Sequence, residues 1–372
     1  MTAGADALIV GGGVIGLSIA LRLAGDGARV TILDAGAARP PASLAAAGIL
    51  GAQVESHGDG PLTRLCVASR ERFPAFVARV EAASGLDVEL RACGALVPAF
   101  DASGEASLDR AARWQRAAGL QVEELTAGEA RDMEPSLSPN VTRALRFPRD
   151  GRVDPRALVG ALARACELAG VVTRPGVAAR LSRTSSRADD AVSGVVLDDG
   201  GHVESSLVVL CAGSWSSLVG ASGLEAAAVE PVRGQMLELA APGLVRGVVV
   251  ASDVYLSPRD DGRVLVGSTV ERAGYDARVT ASAARDLLSA ALRVAPALER
   301  AAFTSAWAGL RPRARRDLPL LGRGASPGLL FATGHFRNGV LLSAITADVV
   351  LALATGAPSP VDLAPFDPTR SE

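Results

Sequence analysis

Residues 8–16 read Leu8-Ile-Val-Gly-Gly-Gly-Val-Ile-Gly16, an apolar run entering a glycine-rich turn, and a second apolar run ends at Asp34, eighteen residues beyond Gly16. That pattern carries a mechanism. Gly11 permits a tight turn, Gly13 lets the backbone approach a pyrophosphate, and Gly16 allows the next helix to pack closely with its positive end toward the phosphates. Asp34 then accepts hydrogen bonds from an adenosine ribose. A lone GxGxxG also occurs as a glycine-rich turn in unrelated α/β units. Here the preceding strand, the helical pattern and the acid agree on a dinucleotide site.

Working outward, a strand at Ala7–Val10, a helix near Val14–Gly25 and a strand at Arg29–Leu33 make one βαβ unit. The Pro- and Ala-rich stretch from Ala37 to Ala47 reads as a loop over the cofactor, and helical periodicity resumes from Leu62 to Ser84. Segments Val88–Pro98 and Ala106–Ala118 begin a different layer, with the crossing near residue 84. The segment Thr142–Phe147, a turn at Asp150–Pro155 and a helix from Pro155 to Ala169 read as a return to the first layer, Pro155 being tolerated in a first helical turn. Short strands follow at 171–173, 192–197 and 207–210, with a polar hairpin tip between Arg183 and Asp190. From Val229 to Gly267 apolar runs alternate with Gly, Pro and Asp, as antiparallel strands do. A helix at Ala281–Val294, strands near Phe303–Ala308 and Leu329–Thr333, and a helix from Gly339 complete the chain.

The expected fold is α/β, with a Rossmann-like dinucleotide domain and a second α+β domain built on an antiparallel sheet. The first domain takes residues 1–84, 142–222 and 302–372, and the second 85–141 and 223–301.

Composition narrows the chemistry. The 372 residues are long enough for two domains, and a net charge of −2 points to neither nucleic acid nor an anionic membrane. All 38 basic residues are arginines, so a lysine Schiff base and a phosphate-loop lysine are excluded, and with them pyridoxal and Walker-type chemistry. Cys66, Cys93, Cys166 and Cys211 are scattered and make no metal-like spacing with His57, His202 or His335, so no metal is expected and the thiols read as reduced. Asp6 and an immediate strand differ from a secretory signal, which leads to the expectation of a cytoplasmic protein. The apolar stretch Val340–Thr355 is shorter than the roughly twenty residues of a membrane span and contains Asp348, so it reads as a buried helix.

The segment Phe331-Ala-Thr-Gly-His-Phe-Arg-Asn-Gly-Val-Leu-Leu342 supplies a strand, a glycine turn and an apolar helix. Such a helix start can stabilise negative charge on the pyrimidine end of an isoalloxazine ring. It also suits an ordinary loop-to-helix junction, and the residues alone leave both open.

Together, GGGVIG, the loop SLAAAGILGAQVE from Ser43 to Glu55, YLSPR from Tyr255, WAGLRP from Trp307 and GHFRNG from Gly334 resemble the FAD-dependent D-amino-acid oxidase superfamily, most of all its glycine oxidases of thiamine biosynthesis. The likeness runs in order along essentially the whole chain. It implies non-covalent FAD, contacted by Val14, Ile15, Asp34, Ala35, Ala42, Ser43, Ala47, Gly48 and Ile49, with Val177 holding the adenine through its backbone. His335, Phe336, Arg337, Asn338, Gly339, Val340 and Leu341 would wrap the flavin ring. By the same resemblance Arg311 binds the substrate carboxylate, with Tyr255 beside it and Arg337 nearby.

The residue types suit those roles, because a guanidinium offers a permanently charged bidentate fork to a carboxylate. Taken alone, an arginine before proline is usually a surface residue and a strand tyrosine usually core or rim. For Glu55 and Asp253 the reading is solvated or loop-bracing carboxylates. Val270 and the bulk around Ile49 would limit the size of a substrate side chain. Asp34 stands where relatives usually have Glu, and Arg316 precedes Asp317 where they place the aspartate one position earlier. The implied reaction is oxidation of glycine, with sarcosine and small D-amino acids as poorer substrates, to an imine and glyoxylate with O2 reduced to H2O2. A sarcosine or D-amino-acid oxidase or dehydrogenase is the alternative within the class. An NAD-dependent dehydrogenase and a scaffold holding FAD structurally are the alternatives outside it. The resemblance also implies a homo-oligomer, a homotetramer in relatives.

Overall fold

The structure, a computed structural model, describes residues 6–185 and 190–370. The opening strand Ala7–Val10 is buried along its whole length. Ala7 and Ile9 enter one core and Leu8 and Val10 another, so both faces of the strand are covered and its sequence is continuously apolar. It lies inside a six-stranded sheet ordered Leu320–Arg323, Leu329–Thr333, Val208–Leu210, Ala7–Val10, Val30–Asp34, Val172–Pro175. All neighbours are parallel except the edge pair Leu320–Arg323 and Leu329–Thr333.

One face packs on the helices Val14–Ala24, Pro61–Ser84, Pro155–Leu168 and Gly339–Thr355. The opposite face packs on a three-stranded antiparallel sheet, Ala178–Arg183, Val192–Leu197 and His202–Glu204. Of the polar tip expected at 183–190, residues 186–189 lie outside the described residues.

The second layer is an eight-stranded sheet, ordered Ala302–Ala314, Val229–Ala240, Arg263–Gly267, Tyr255–Pro258, Val248–Val250, Ala95–Ala99, Arg143–Phe147, Glu123–Thr126. Its pairings are antiparallel apart from Val248–Val250 with Ala95–Ala99. The period of two separates its faces. Leu237, Leu256 and Val266 pack under the helix Ala281–Val294, whereas Met236, Tyr255 and Leu265 face the loop carrying Ala47 and Ile49.

Two stretches read as part of the first layer belong to this sheet. Arg143–Phe147 pairs with Ala95–Ala99, and Ala302–Ala314 pairs along its length with Val229–Ala240. A short apolar run such as RALRF announces a strand but does not choose its sheet. Among the described residues no helix is long and apolar enough to cross a membrane, and no cluster of metal-ligating side chains occurs.

Candidate active site

The glycine turn has the geometry its sequence requires. Gly11 takes φ +112°, and a Cβ there would approach the Cys211 carbonyl oxygen to 2.5 Å. A Cβ on Gly16 would overlap the Gly11 carbonyl oxygen, while Gly13 has no backbone within 4 Å of that position. The helix Val14–Ala24 starts with no capping side chain on Gly13, and the Val14 N–H donates to Ser43 Oγ at 3.1 Å. Asp34 accepts from the Gly12 N–H at 2.6 Å and from the Gly36 N–H at 2.8 Å, which fixes its carboxylate at the end of the second strand.

From this turn a cleft of about 1450 Å³, part of it open to solvent, runs between the two sheets. One wall is the loop 42–49. The buried Arg259 donates to the Ala47 carbonyl and, at 3.0 Å, to Ser257 Oγ, and the Trp307 indole N–H donates to the Ala45 carbonyl at 3.1 Å. Gly48 takes φ +69° against Val153, where a Cβ would strike the Val153 carbonyl.

Alternation along Ala302–Ala314 puts Trp307, Gly309 and Arg311 on one face, where Trp307 meets the loop and Gly309 and Arg311 line the cleft. Gly309 lies opposite Gly234 on the neighbouring strand. A Cβ on Gly309 would come within 2.5 Å of Ala45, and one on Gly234 would overlap the Arg311 guanidinium. The paired glycines therefore admit the loop and the arginine side by side. Arg311 donates through Nη1 to the Thr269 carbonyl at 3.1 Å and through Nη2 to Ser268 Oγ at 2.6 Å. Both acceptors are neutral, so no ion pair among the described residues balances its charge. Burial draws the guanidinium's pKa below the usual arginine value, and the neighbouring Tyr255 opposes that shift. Tyr255 is buried, its hydroxyl 2.9 Å from Met236 Sδ; burial raises the phenol's pKa and Arg311 counters it.

The far wall is the turn before the helix Gly339–Thr355. Phe336 takes φ +49°, and its N–H donates to the Pro312 carbonyl at 2.7 Å, pinning the turn to the arginine strand. No side chain caps this helix at Asn338. Gly339 and Val340 line the cleft, so the helix start faces it.

His335 is buried with Nε2 3.1 Å from Thr346 Oγ1, and burial pulls its pKa down to about 4. In an unfolded chain a histidine titrates near 6.5. Between about pH 6.5 and 4 the unfolded state therefore binds a proton that the folded state refuses, so stability is level above that window and falls as pH drops through it. From pH 7 to 5 this group is expected to cost about 2 kcal/mol. Urea midpoints of wild type and His335→Gln at both pH values check this, the variant losing less on acidification.

A profile of the FAD dependent oxidoreductases (DAO) matches residues 6–353. The chain belongs to this family. Glycine oxidase of Geobacillus kaustophilus is 36% identical over 375 residues, covering 100% of this chain and 98% of that protein. The crystal structure of glycine oxidase from that organism superposes with a TM-score of 0.93 at 36% identity, covering 100% of both chains. The bifunctional protein ThiO/ThiG of Synechocystis sp. is 36% identical over 354 residues, covering 93% of this chain and 51% of that protein.

As a DAO-family oxidoreductase the chain uses FAD, and the cleft suits it. Glycine keeps side chains off the turn, a helix start whose N-cap residue supplies no capping side chain lies at each end, and Asp34 lines the cleft beside the first.

The sequence-predicted residues largely converge here. Gly11, Gly13, Val14, Ile15, Asp34 and Ala35 line the cleft, as do Ala42, Ser43, Ala47, Gly48 and Ile49. Tyr255, Arg311, His335, Phe336 and Arg337 line it too. Gly16 packs behind the turn, and Asn338 and Leu341 are not in the lining. Val177 is likewise outside the lining, between Gly176 and Ala178 which are in it, and its carbonyl accepts the Asp198 N–H at 3.0 Å.

Val270 does not limit the cleft: it is 58% exposed and outside the lining. Asp253 pairs with Arg293 at the surface, as a bracing carboxylate does, whereas Glu55 turns into the cleft. Arg316 donates to the Asp367 carbonyl at 3.1 Å and Asp317 pairs with Arg313, so the departure in this loop leaves the cleft itself unchanged. Sequence reasoning missed Gly234, Met236, Ser268 and Thr269. An isolated glycine inside the strand VRGQM was the available signal of a close approach at Gly234.

Proposed function

We propose that this enzyme is an FAD-dependent amino-acid oxidase that deaminates glycine, with sarcosine and small D-amino acids as poorer substrates. The observation that carries the reading is Arg311, a charged fork without an ion-pair partner among the described residues, at the end of the flavin cleft beside Tyr255. Arg311 takes the substrate carboxylate bidentately, and Ser268 and Thr269 hold the fork in place. The Tyr255 phenol donates to the same carboxylate. With that end fixed, the Cα–H is oriented rather than deprotonated by a side chain, so positioning supplies most of the rate. FAD held here would supply the two-electron acceptor for the Cα hydrogen and a route for those electrons to O2, so that the products would be H2O2 and an imine that water converts to glyoxylate and ammonia.

Ile49 lines the cleft, and its bulk favours a substrate with little or no side chain. In a cell the glycine imine would feed thiazole formation for thiamine. The reading includes a cytoplasmic homo-oligomer and a discontinuous FAD-binding unit, with strands 143–147 and 302–314 assigned to the substrate-side sheet.

Oxygen consumption with glycine, sarcosine, D-alanine and L-alanine tests the proposal. Glycine is expected to give the highest kcat/KM, with one H2O2 per glyoxylate. Oxidation of the others with glycine inert would replace the substrate assignment, and glycine turnover only with an added dye would make the enzyme a dehydrogenase.

A further inference from the structure

Charge at the substrate end of the cleft is contributed by Arg311, Arg337 and Glu55. The Glu55 side chain is only 15% exposed, and its Oε2 is buried with no hydrogen-bond donor. Arg337 Nε lies 3.5 Å from that oxygen, an ion pair without a hydrogen bond.

The backbone carrying this carboxylate is tied down. The fully buried Asp150 accepts from the Gln53 N–H at 3.1 Å, the Val54 N–H at 2.8 Å and Arg70 Nη1 at 2.9 Å. The Glu55 N–H itself donates to the Gly51 carbonyl at 3.3 Å. The charge of Glu55 is felt at both Tyr255 and Arg311, which sets it beside the two proposed carboxylate anchors. A covered acceptor with no donor, held on a braced turn and aimed into a binding cleft, calls for a donor from the ligand.

We propose that Glu55 accepts a hydrogen bond from the substrate amino group, and that its charge makes the site select amino acids with one carboxylate over N-carboxymethyl dicarboxylates. The proposal rests on the amino-acid oxidase reading, in which Arg311 holds the carboxylate. In an α-amino acid the amine is attached to the carbon next to that carboxylate, so with the carboxylate on Arg311 the amine lies in the part of the cleft that Glu55 also lines. A second carboxylate carried on the same nitrogen would meet Glu55 at close range and be repelled. With Glu55 neutral, Arg311 and Arg337 would attract it instead.

Steady-state kinetics of FAD-loaded wild type, Glu55→Gln and Glu55→Asp with glycine and with iminodiacetate test this. For Glu55→Gln, kcat/KM for glycine is expected to fall about 10- to 100-fold, mainly through KM, while that for iminodiacetate holds or rises. Glu55→Asp keeps the charge on a shorter arm and is expected to lose glycine activity yet still discriminate against iminodiacetate. A merely structural glutamate would lower both substrates together, so an unchanged glycine-to-iminodiacetate ratio in Glu55→Gln overturns the proposal. If that variant fails to load FAD, Glu55→Ala is judged by the same ratio. An active wild type with an unchanged variant ratio rejects this inference alone. A wild type that loads FAD and leaves glycine untouched rejects the underlying reading, and this inference with it.

Discussion

Arg311→Ala is expected to lower kcat/KM for glycine by roughly 30- to 4000-fold, the equivalent of about 2–5 kcal/mol for removing one partner of a buried charge pair. The loss should come through KM at first and kcat as well, since the fork both binds and orients. FAD content should stay at the wild-type level, because the side chain lies beyond the glycine turn and its hydrogen bonds go to Ser268 and Thr269, not to that turn. Arg311→Lys restores charge without the fork and should recover only part of the activity.

Gly234→Ala offers a second approach to the same point. The new methyl would meet the far end of a flexible side chain, which moves at small cost to stability, yet the displaced guanidinium loses its alignment. Steady-state kinetics with the A280/A450 ratio check both substitutions. Wild-type kinetics in Arg311→Ala would remove the assigned role.

Gly16→Ala is expected to destabilise the protein by more than roughly 4 kcal/mol and to abolish FAD retention. The added Cβ would overlap the Gly11 carbonyl and come within 3.1 Å of Cys211 Sγ, and neither backbone nor a buried thiol can swing away as an arginine tip does. Gly160, inside the helix Pro155–Leu168, has nothing within 4 Å of its missing Cβ. Gly160→Ala should therefore be neutral or stabilising by up to about 1 kcal/mol. Thermal melts and bound-flavin absorbance of the two alanine variants give the comparison, and a Gly16→Ala protein that melts like wild type and stays yellow would refute the close-packing argument.

The first layer was readable because its constraints are local in sequence. A strand covered on both faces must be apolar throughout, and a turn that presents backbone to phosphate must carry glycine where Gly11 and Gly16 stand. The helix Gly339–Thr355 was readable for a similar reason, an apolar run after a glycine turn. The assignment of Arg143–Phe147 failed because pairing partners are chosen by contacts far along the chain, here Ala95–Ala99 and Glu123–Thr126. The long strand Ala302–Ala314 was read only as far as Ala308, since its alternation breaks at Gly309 and Pro312, the residues that shape the cleft.

At the site, residue chemistry alone did not single out Arg311; a family resemblance did, and the physical reason appears only once the sheet is assembled. Trp307, Gly309 and Arg311 share a face by alternation, but the space they occupy is created by Gly234, which the register places opposite Gly309. Glu55 misled in the other direction. A glutamate in a polar loop reads as solvated, and its turn into the cleft depends on Asp150, remote in sequence, gripping the amides of Gln53 and Val54. Val270 misled because a residue just past a strand end can leave the sheet at once, as this one does toward solvent.

The measurement that bears most directly on the central claim is the visible spectrum of the purified protein before and after glycine is added without oxygen. Flavin bands that bleach with glycine and return on admission of air, with H2O2 released, are the predicted result. Flavin bands that remain unchanged at saturating glycine would contradict the substrate assignment.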